Sequence, residues 1–240
     1  MGADALEGRS VLITGASRGI GRACARLLLE SGARVVMLSR DLQAMHELIA
    51  DLKRNAAAFP TDLSNPDSLT PVLQKAREWI GGAPDIIVNN AGTFIIAPLE
   101  ETPVDDLKNA LRVNLASPFL IVREFLGEWR KRGSGHVVTI GSVADRIAYP
   151  GNTLYAATKF GARGMHEALR EETRGTGVRT TLVSPGPTDT GIWDAVDPDN
   201  KPGFTPRAKM LDANAVAHAV LWAVTRPAGV NVDELRLSRS

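Results

Sequence analysis

Cysteine is almost absent from this sequence, and its few histidines are scattered. Cys24 is the only cysteine, which excludes an internal disulfide and a thiolate metal site. Its small and apolar neighbours in GRACARLLL predict a buried structural thiol. The four histidines, at positions 46, 136, 166 and 218, lack the spacing of a zinc motif. We therefore expect no metal site.

Long apolar runs and a strong net charge are also lacking. No stretch approaches the ~20 apolar residues of a membrane helix. The start, MGADALEGRS, has no apolar segment typical of a signal peptide, and Leu6 stands where a myristoylation signal needs Ser or Thr. A net charge of +1 offers no field to nucleic acid or anionic lipid. These absences predict a soluble, cytoplasmic protein without a nucleic-acid or membrane partner.

Apolar runs of strand length alternate with amphipathic helical segments. The predicted strands are 10–14, 34–38, 56–59, 85–89, 135–140, 178–183 and, more weakly, 233–237. The predicted helices lie near 19–31, 41–53, 66–80, 103–131, 152–175 and 212–225. Strands that are apolar on both faces and separated by helices indicate a covered parallel sheet with right-handed crossovers. We predict one α/β domain over 1–240, a doubly wound, Rossmann-like parallel sheet of about seven strands with helices on both faces.

One segment interrupts this alternation. DAVDPDNKPGFTPRAK, residues 194–209, contains three prolines, a glycine and mixed charge. Loops of this length in compact domains are often functional. We expect a substrate-side loop or lid over 187–211.

A glycine-rich turn joins the first strand to the first helix. TGASRGIG, residues 14–21, places Gly15, Gly19 and Gly21 in a G-x-x-x-G-x-G spacing. Glycine lets the backbone turn tightly and approach a ligand closely. The helix N-terminus then offers free N–H groups and the positive end of its dipole to a phosphate. This turn predicts a dinucleotide site.

Five motifs, in order along almost the whole chain, resemble the short-chain dehydrogenases/reductases of the compact single-domain type. They are TGASRGIG, NNAG at 89–92, Asn114, the Ser-x12-Tyr-x3-Lys pattern of Ser142, Tyr155 and Lys159, and PGPTDT at 185–190. The resemblance implies an oxidoreductase in which Tyr155 is the general acid/base and Ser142 orients the reacting oxygen. It also implies that Lys159 holds the nicotinamide ribose and that Asn114 holds a water in a proton relay.

The residues themselves agree with these catalytic roles. Tyr155 and Lys159 are four apart and share one helix face. A nearby lysine ammonium favours phenolate, and so does a positively charged oxidised nicotinamide, so we expect both to lower the pKa of Tyr155. Ser142 follows a strand at the edge where open α/β sheets bind ligands.

The resemblance further implies a set of cofactor-binding residues, which includes Tyr155 and Lys159. The others are Gly15, Ser17, Arg18, Gly19, Ile20, Gly21, Ser39, Arg40, Asp62, Leu63, Asn90, Ala91, Gly92, Pro185, Gly186, Thr188 and Thr190. Asp62 could instead cap a helix, Thr190 could be an N-cap, and Asn89 resembles a residue that ties the central sheet together.

The end of the second strand indicates which cofactor is bound. An acidic residue there would accept hydrogen bonds from the ribose hydroxyls and repel a 2′-phosphate. The sequence has Ser39 at this place and then Arg40, whose guanidinium can grip a phosphate, as can that of Arg18. Asp41 is expected to cap the next helix. We predict NADP(H).

The substrate side is implied only by the resemblance. Ser142, Val143, Tyr149, Tyr155 and Trp193 would border the pocket, with Ala144, Pro187 and Phe94 nearby. Arg146 could bind an anionic substrate, but an exposed arginine on the rim or at a subunit contact is favoured. The substrate is expected to be a small hydroxy acid or a ketone or aldehyde.

Three alternatives remain at this point. The chain end, VNVDELRLSRS, lacks the Gly-rich strand of many β-ketoacyl thioester reductases, which argues against that activity. A non-catalytic dinucleotide-sensing binding protein usually lacks the Tyr or the Lys, and both are present. A structural subunit has no use for the four catalytic residues. From the family we also expect a homotetramer or homodimer, assembled through helices 103–131 and 152–175.

Overall fold

Seven parallel strands form one sheet in the computed structural model, which describes residues 5–240. The strands are β1 Ser10–Thr14, β2 Arg34–Ser39, β3 Ala56–Pro60, β4 Ile86–Asn89, β5 Gly135–Ile140, β6 Val178–Pro185 and β7 Glu234–Leu237. Their order in the sheet is β3-β2-β1-β4-β5-β6-β7. The predicted single doubly wound domain is therefore confirmed, including its weak seventh strand. Residues 1–4, which belong to the segment assessed above as a leader, lie outside the described residues.

Seven α-helices connect these strands within the described residues. They are α1 Gly19–Glu30, α2 Leu42–Leu52, α3 Leu69–Ile80, α4 Val104–Leu111, α5 Ser117–Arg132, α6 Thr153–Thr173 and α7 Ala213–Val224. No helix in residues 5–240 has both the length and the apolar character needed to cross a bilayer.

The segment predicted as one helix over 103–131 has an internal irregularity. Residues Arg112–Ala116 form a π-helical turn between α4 and α5, and Asn114 lies in that turn. Single π-turns inside helices occur frequently at functional sites. Apolar periodicity does not report a one-residue insertion of this kind, so the sequence predicted the helical span but not the π-helical turn that divides it.

The two faces of the sheet carry separate hydrophobic cores. On one face α1, α2 and α7 pack their buried side chains, among them Cys24, against the sheet. On the other face α3 and α5 do so, and Phe125 and Trp129 are fully buried there. Burial raises the pKa of the Cys24 thiol to about 12, which agrees with a structural cysteine. Because both faces are covered, the strands are apolar on both sides.

The strand order reverses its direction between β1 and β4. Strands β2 and β3 continue from β1 towards one edge, and β5 to β7 continue from β4 towards the other. In open α/β sheets a crevice forms beyond the carboxyl ends of the strands at such a switch point, and ligands bind there.

Candidate functional site

A cavity of about 700 Å³ lies beyond the carboxyl ends of β1 to β6. Its volume is typical of cofactor and small-molecule sites. It is lined by all but two of the residues predicted to bind cofactor or substrate or to act in catalysis. They are Gly15, Ser17, Arg18, Gly19, Ile20, Ser39, Arg40, Asp62, Leu63, Asn90, Ala91, Gly92, Ser142, Val143, Tyr149, Tyr155, Lys159, Pro185, Gly186, Thr188, Thr190 and Trp193.

Gly21 and Asn114 are the two exceptions. Gly21 lies beneath the cavity, where a Cβ would collide with the carbonyl oxygen of Gly15. Because Gly21 has no Cβ, α1 can approach β1 closely. Gly21 therefore shapes the turn without lining the cavity. Asn114 is only 4% exposed and lies behind Gly92. A Cβ added to Gly92 would be 3.4 Å from the Asn114 Oδ1.

The glycine-rich turn leaves the start of α1 open to the cavity. Gly19 has φ +54°, a conformation that favours glycine, and a Cβ there would be 3.0 Å from Thr190 Cγ2. Arg18 is the N-cap, and its side chain makes no capping hydrogen bond. The first turn of α1 also has no acidic residue. Its N–H groups and positive dipole end can therefore serve a phosphate.

Asn90, and not Asn89, ties β1 to the segment after β4. Asn90 Nδ2 donates to the carbonyl oxygen of Thr14 at 2.9 Å, and the Asn90 N–H donates to Thr14 Oγ1 at 3.1 Å. The Asn89 side chain is buried, and its amide atoms have no hydrogen-bond partner in the described part of the chain. The sequence assigned this structural role to the wrong member of the NNAG motif.

Two arginines border the cavity at the ends of β1 and β2. Arg18 and Arg40 are exposed, and neither side chain forms an ion pair or hydrogen bond within residues 5–240. Ser17 Oγ lies 2.8 Å from Ser39 Oγ between these two positions. Asp41 Oδ1 accepts from the Ala44 N–H at 3.0 Å and so caps α2, as predicted.

Asp62 forms a local turn and does not cap a helix. Its Oδ1 accepts from the Ser64 N–H at 2.9 Å and from Ser64 Oγ at 2.7 Å. These two bonds lower the pKa of Asp62, and the charge of Arg40 lowers it further. Asp62 therefore stays ionised beside the cavity.

Ser142 and Tyr155 meet at the end of β5. Ser142 begins the short turn Val143–Asp145, and its Oγ accepts from the Ala144 N–H at 3.1 Å. Burial raises the pKa of Tyr155 to about 12, while a hydrogen bond with Ser142 acts in the opposite direction. The protein groups by themselves do not produce the predicted lowering of the Tyr155 pKa, because desolvation of the phenolate outweighs their other influences.

Lys159 lies beside the Tyr155 ring, and Asn114 is hydrogen-bonded to the same helix. Lys159 Nζ donates to the carbonyl oxygen of Ile140 at 2.9 Å and lies 5.7 Å from the Tyr155 ring centroid. Burial lowers the pKa of Lys159 to about 8. Asn114 Oδ1 accepts from the Thr93 N–H at 2.8 Å, and its Nδ2 donates to Thr158 Oγ1 at 2.9 Å. The π-helical turn therefore connects directly to α6.

Asp145 is a buried carboxylate that the sequence analysis did not identify. It accepts from the Ser142 N–H at 3.2 Å and from Ser184 Oγ at 2.5 Å, and it is fully buried. Arg146 Nε donates to it at 2.8 Å, and Arg146 also pairs with Glu234 at 2.5 Å. Arg146 is thus neither an exposed arginine nor a free anion-binding group. The only sequence signal was an acidic residue three positions after Ser142.

The side of the cavity predicted to hold the substrate combines the loop after β4 with the segment after β6. Trp193 Nε1 donates to the carbonyl oxygen of Thr188 at 3.0 Å. Thr190 Oγ1 accepts from the Ile192 N–H at 3.5 Å. Thr190 therefore caps the short turn Gly191–Trp193 as well as lining the cavity. Sequence reasoning missed the cavity residues Ile96 and Phe204. An aromatic residue in an otherwise polar loop was the available signal for Phe204.

The comparisons with known proteins agree on one family. A family model described as short chain dehydrogenase matches residues 9–201. An uncharacterised oxidoreductase of Staphylococcus aureus is 32% identical over 231 residues, which is 96% of each chain. A metagenomic short-chain oxidoreductase solved in complex with NADP superposes with a TM-score of 0.84 at 27% identity, covering 98% of this chain and 99% of that one. A serine dehydrogenase in complex with NADP+ gives a TM-score of 0.85 at 29% identity, covering 95% and 94%.

Proposed function

The chain belongs to the short-chain dehydrogenase family and is an oxidoreductase, and from this premise we propose that it transfers a hydride between NADP(H) and an alcohol/carbonyl pair. The observation that carries the proposal is that Ser142, Tyr155 and Lys159 line the same cavity as the glycine-rich turn. A dinucleotide-sensing protein or a structural subunit would have no use for that convergence.

The residues present fit a dinucleotide. Gly19 and the open first turn of α1 provide N–H groups for a pyrophosphate. Gly92 lines the cavity beside Lys159, where a backbone without a side chain can lie against a ribose. In this proposal Lys159 and Tyr155 hold the nicotinamide ribose, and Asp62 meets the adenine amine.

The choice of NADP(H) rests on the ends of β1 and β2. Ser39 presents no carboxylate to a 2′-phosphate, and the guanidinium groups of Arg18 and Arg40 form no hydrogen bond or ion pair in the described residues. Asp41 is occupied as a helix cap. The solved relatives named above that contain NADP support the same choice.

The protein groups perform the proton transfer. When bound, the nicotinamide supplies a hydride to the carbonyl carbon, or accepts one from the carbinol carbon. Tyr155 gives its phenolic proton to the carbonyl oxygen in reduction and takes the carbinol proton in oxidation, so each product is neutral. Ser142 orients that oxygen. Because burial raises the pKa of Tyr155 to about 12, the phenol stays protonated near neutral pH, which favours the donor role.

A cofactor titration followed by a turnover assay tests the proposal. NADPH should quench protein fluorescence or gain fluorescence on binding, and its absorbance should decay when an aldehyde or ketone is added. Binding without consumption across a broad carbonyl and alcohol panel would support the sensing alternative. An absence of binding to either nicotinamide cofactor would contradict the proposal itself.

We also propose a homo-oligomer formed through α4, α5 and α6. Leu107, Leu111, Phe119 and Phe160 are 40–54% exposed on these helices, whereas Phe125 and Ala156 are buried inward. Like surfaces on two copies would cover the exposed side chains symmetrically. A dimeric or tetrameric mass by light scattering is expected, and a mass near 25.7 kDa would contradict it. Phe119→Asp with Phe160→Asp should give the monomer, whereas Val230→Asp, at a site 44% exposed elsewhere, should not.

A further inference from the structure

The charged side chains that line the cavity are concentrated at one end. Four lining residues carry charge: Arg18, Arg40, Asp62 and Lys159. The first three follow β1, β2 and β3, whereas Ser142 and Tyr155 belong to the β5 side of the sheet. β2 and β5 are three strand spacings apart, or about 14 Å. At the reacting end, Lys159 is therefore the only charged lining residue within the described chain.

Aromatic rings form the wall beside the reacting hydroxyl. The ring centroids of Phe94 and Tyr155 are 4.7 Å apart. On the other side of Phe94, the ring centroid of Trp193, in the substrate-side loop, lies 4.8 Å away. Phe204 continues this wall at 6.4 Å from Trp193. Ile96 and Val143 line the same end. Such a surface favours an apolar group of the substrate by burying it from water.

Three cations around this end, Lys159, Arg146 and Arg207, are already engaged by protein groups. Lys159 donates to a backbone carbonyl, and Arg146 pairs with Asp145 and Glu234. Arg207 in the substrate-side loop pairs with Asp189, Asp194 and Asp199 and does not line the cavity. Lys201 is exposed and lies 5.2 Å from the Phe204 ring centroid, also outside the lining. A substrate carboxylate packed against the aromatic wall would therefore lose hydration without gaining an unengaged cation from the lining.

We propose that the substrate of this enzyme is a neutral aldehyde or ketone, or the corresponding alcohol, with an aryl or bulky alkyl group that packs against Phe94, Trp193 and Phe204. This inference rests on the proposed oxidoreductase function and narrows the two substrate classes that the sequence left open. Hydroxy acids and keto acids are poor substrates, because no unengaged cation lines the reacting end.

Two matched aldehyde pairs test this inference. Methyl 4-oxobutanoate and 4-oxobutanoate differ in charge, and the aldehyde is insulated from that change by two methylenes. 3-Phenylpropanal and propanal differ in the phenyl group alone. With NADPH we expect kcat/KM to favour the methyl ester by at least roughly tenfold. We expect the phenyl compound to be favoured by on the order of tenfold to hundredfold.

A pair of variants ties the preference to the aromatic wall. Phe204→Arg places a cation beside Trp193, and Phe204→Leu keeps the position apolar. We expect Phe204→Arg to lower the ester-to-acid ratio of kcat/KM by roughly tenfold to hundredfold and Phe204→Leu to leave the ratio near that of the wild type.

The outcomes separate this inference from the proposed function. Equal or better turnover of 4-oxobutanoate than of its ester, or of propanal than of 3-phenylpropanal, would overturn the substrate class and leave the oxidoreductase function intact. A Phe204→Arg variant with an unchanged ester-to-acid ratio would overturn the role of the wall. Absence of NADPH consumption with all four aldehydes, despite cofactor binding, would overturn the substrate class, and the same result across the broad carbonyl and alcohol panel would overturn the oxidoreductase function as well.

Discussion

The ring of Phe94 meets the ring of Tyr155 edge-on, with centroids 4.7 Å apart and planes inclined at 78°. Phe94 also contacts Trp193 of the substrate-side loop, with ring centroids 4.8 Å apart and planes inclined at 68°. Edge-to-face pairs contribute about 0.5–1.5 kcal/mol beyond their burial. The residue proposed to transfer the proton is thus packed against the loop proposed to cover the substrate through one intervening ring.

The cofactor preference should reverse when the charges after β2 are exchanged. Ser39→Asp combined with Arg40→Ala introduces a carboxylate and removes a guanidinium where a 2′-phosphate is expected. A charge-assisted hydrogen bond contributes about 1.5–3 kcal/mol, or roughly tenfold to hundredfold in affinity. The kcat/KM values for NADPH and NADH, measured for wild type and double variant, should change order.

A surface charge elsewhere provides the control for this exchange. Arg54 is exposed and does not line the cavity, so Arg54→Ala should leave the ratio of the two cofactors unchanged. If the wild-type kcat/KM for NADH equalled or exceeded that for NADPH, Arg40 would be an ordinary exposed arginine at a strand end.

Arg207 should hold the substrate loop in place. Its guanidinium donates to Asp189 Oδ1 at 2.8 Å, to the Thr190 carbonyl oxygen at 3.1 Å and to Asp194 Oδ1 at 2.5 Å. Arg207→Ala removes these links, so we expect the KM of the carbonyl substrate to rise roughly two- to tenfold. The thermal midpoint should change little, because the loop is peripheral to both cores.

Lys209 is the matched control for the loop. It is exposed and makes no ion pair among the residues that the structure describes, so Lys209→Ala should keep the wild-type KM. Identical KM values for Arg207→Ala and Lys209→Ala would mean that the Arg207 contacts do not position the loop.

Two buried histidines should make stability fall in mild acid. Burial lowers the pKa of His136 to about 3 and that of His166 to about 4, from 6.5. The unfolded chain therefore binds more protons below pH 6.5 than the folded chain, and the free energy of unfolding decreases as pH falls from 6.5 towards 4. Each histidine adds a slope of up to about 1.4 kcal/mol per pH unit.

Denaturant unfolding across this pH range measures the slope. His166→Gln should make it shallower, although the loss of the contact with Thr139 will lower stability at neutral pH. His218→Gln, at an exposed position on α7, should leave the slope unchanged. A wild-type stability that stayed constant between pH 6.5 and 4 would contradict this account.

Much of the fold was predictable because it depends on short-range signals. The apolar runs RVVML and GHVVTI coincide with β2 and β5 to within one residue. The glycine spacing predicted the turn before α1, and the Tyr155–Lys159 spacing predicted their common helix. These features are set by backbone conformation and by the period of a helix, which one sequence displays directly.

The remaining features depend on contacts between distant segments. The π-helical turn at Asn114 forms where the side chain reaches Thr93 and Thr158, which no local pattern reveals. Burial of Asp145 and Arg146 depends on Ser184 and Glu234, which lie on strands β6 and β7. The pKa of Tyr155 depends on how much water the fold excludes, which residue spacing cannot report.

The most direct test of the proposed chemistry is the turnover of Tyr155→Phe with NADPH and 3-phenylpropanal. The substitution removes the proton-donating hydroxyl and preserves the ring that packs against Phe94. The account predicts a loss in kcat of roughly 10²–10⁴-fold, as is typical for general acid–base catalysis, with NADPH binding retained in a fluorescence titration. A variant that binds NADPH normally and keeps near-wild-type turnover would contradict it.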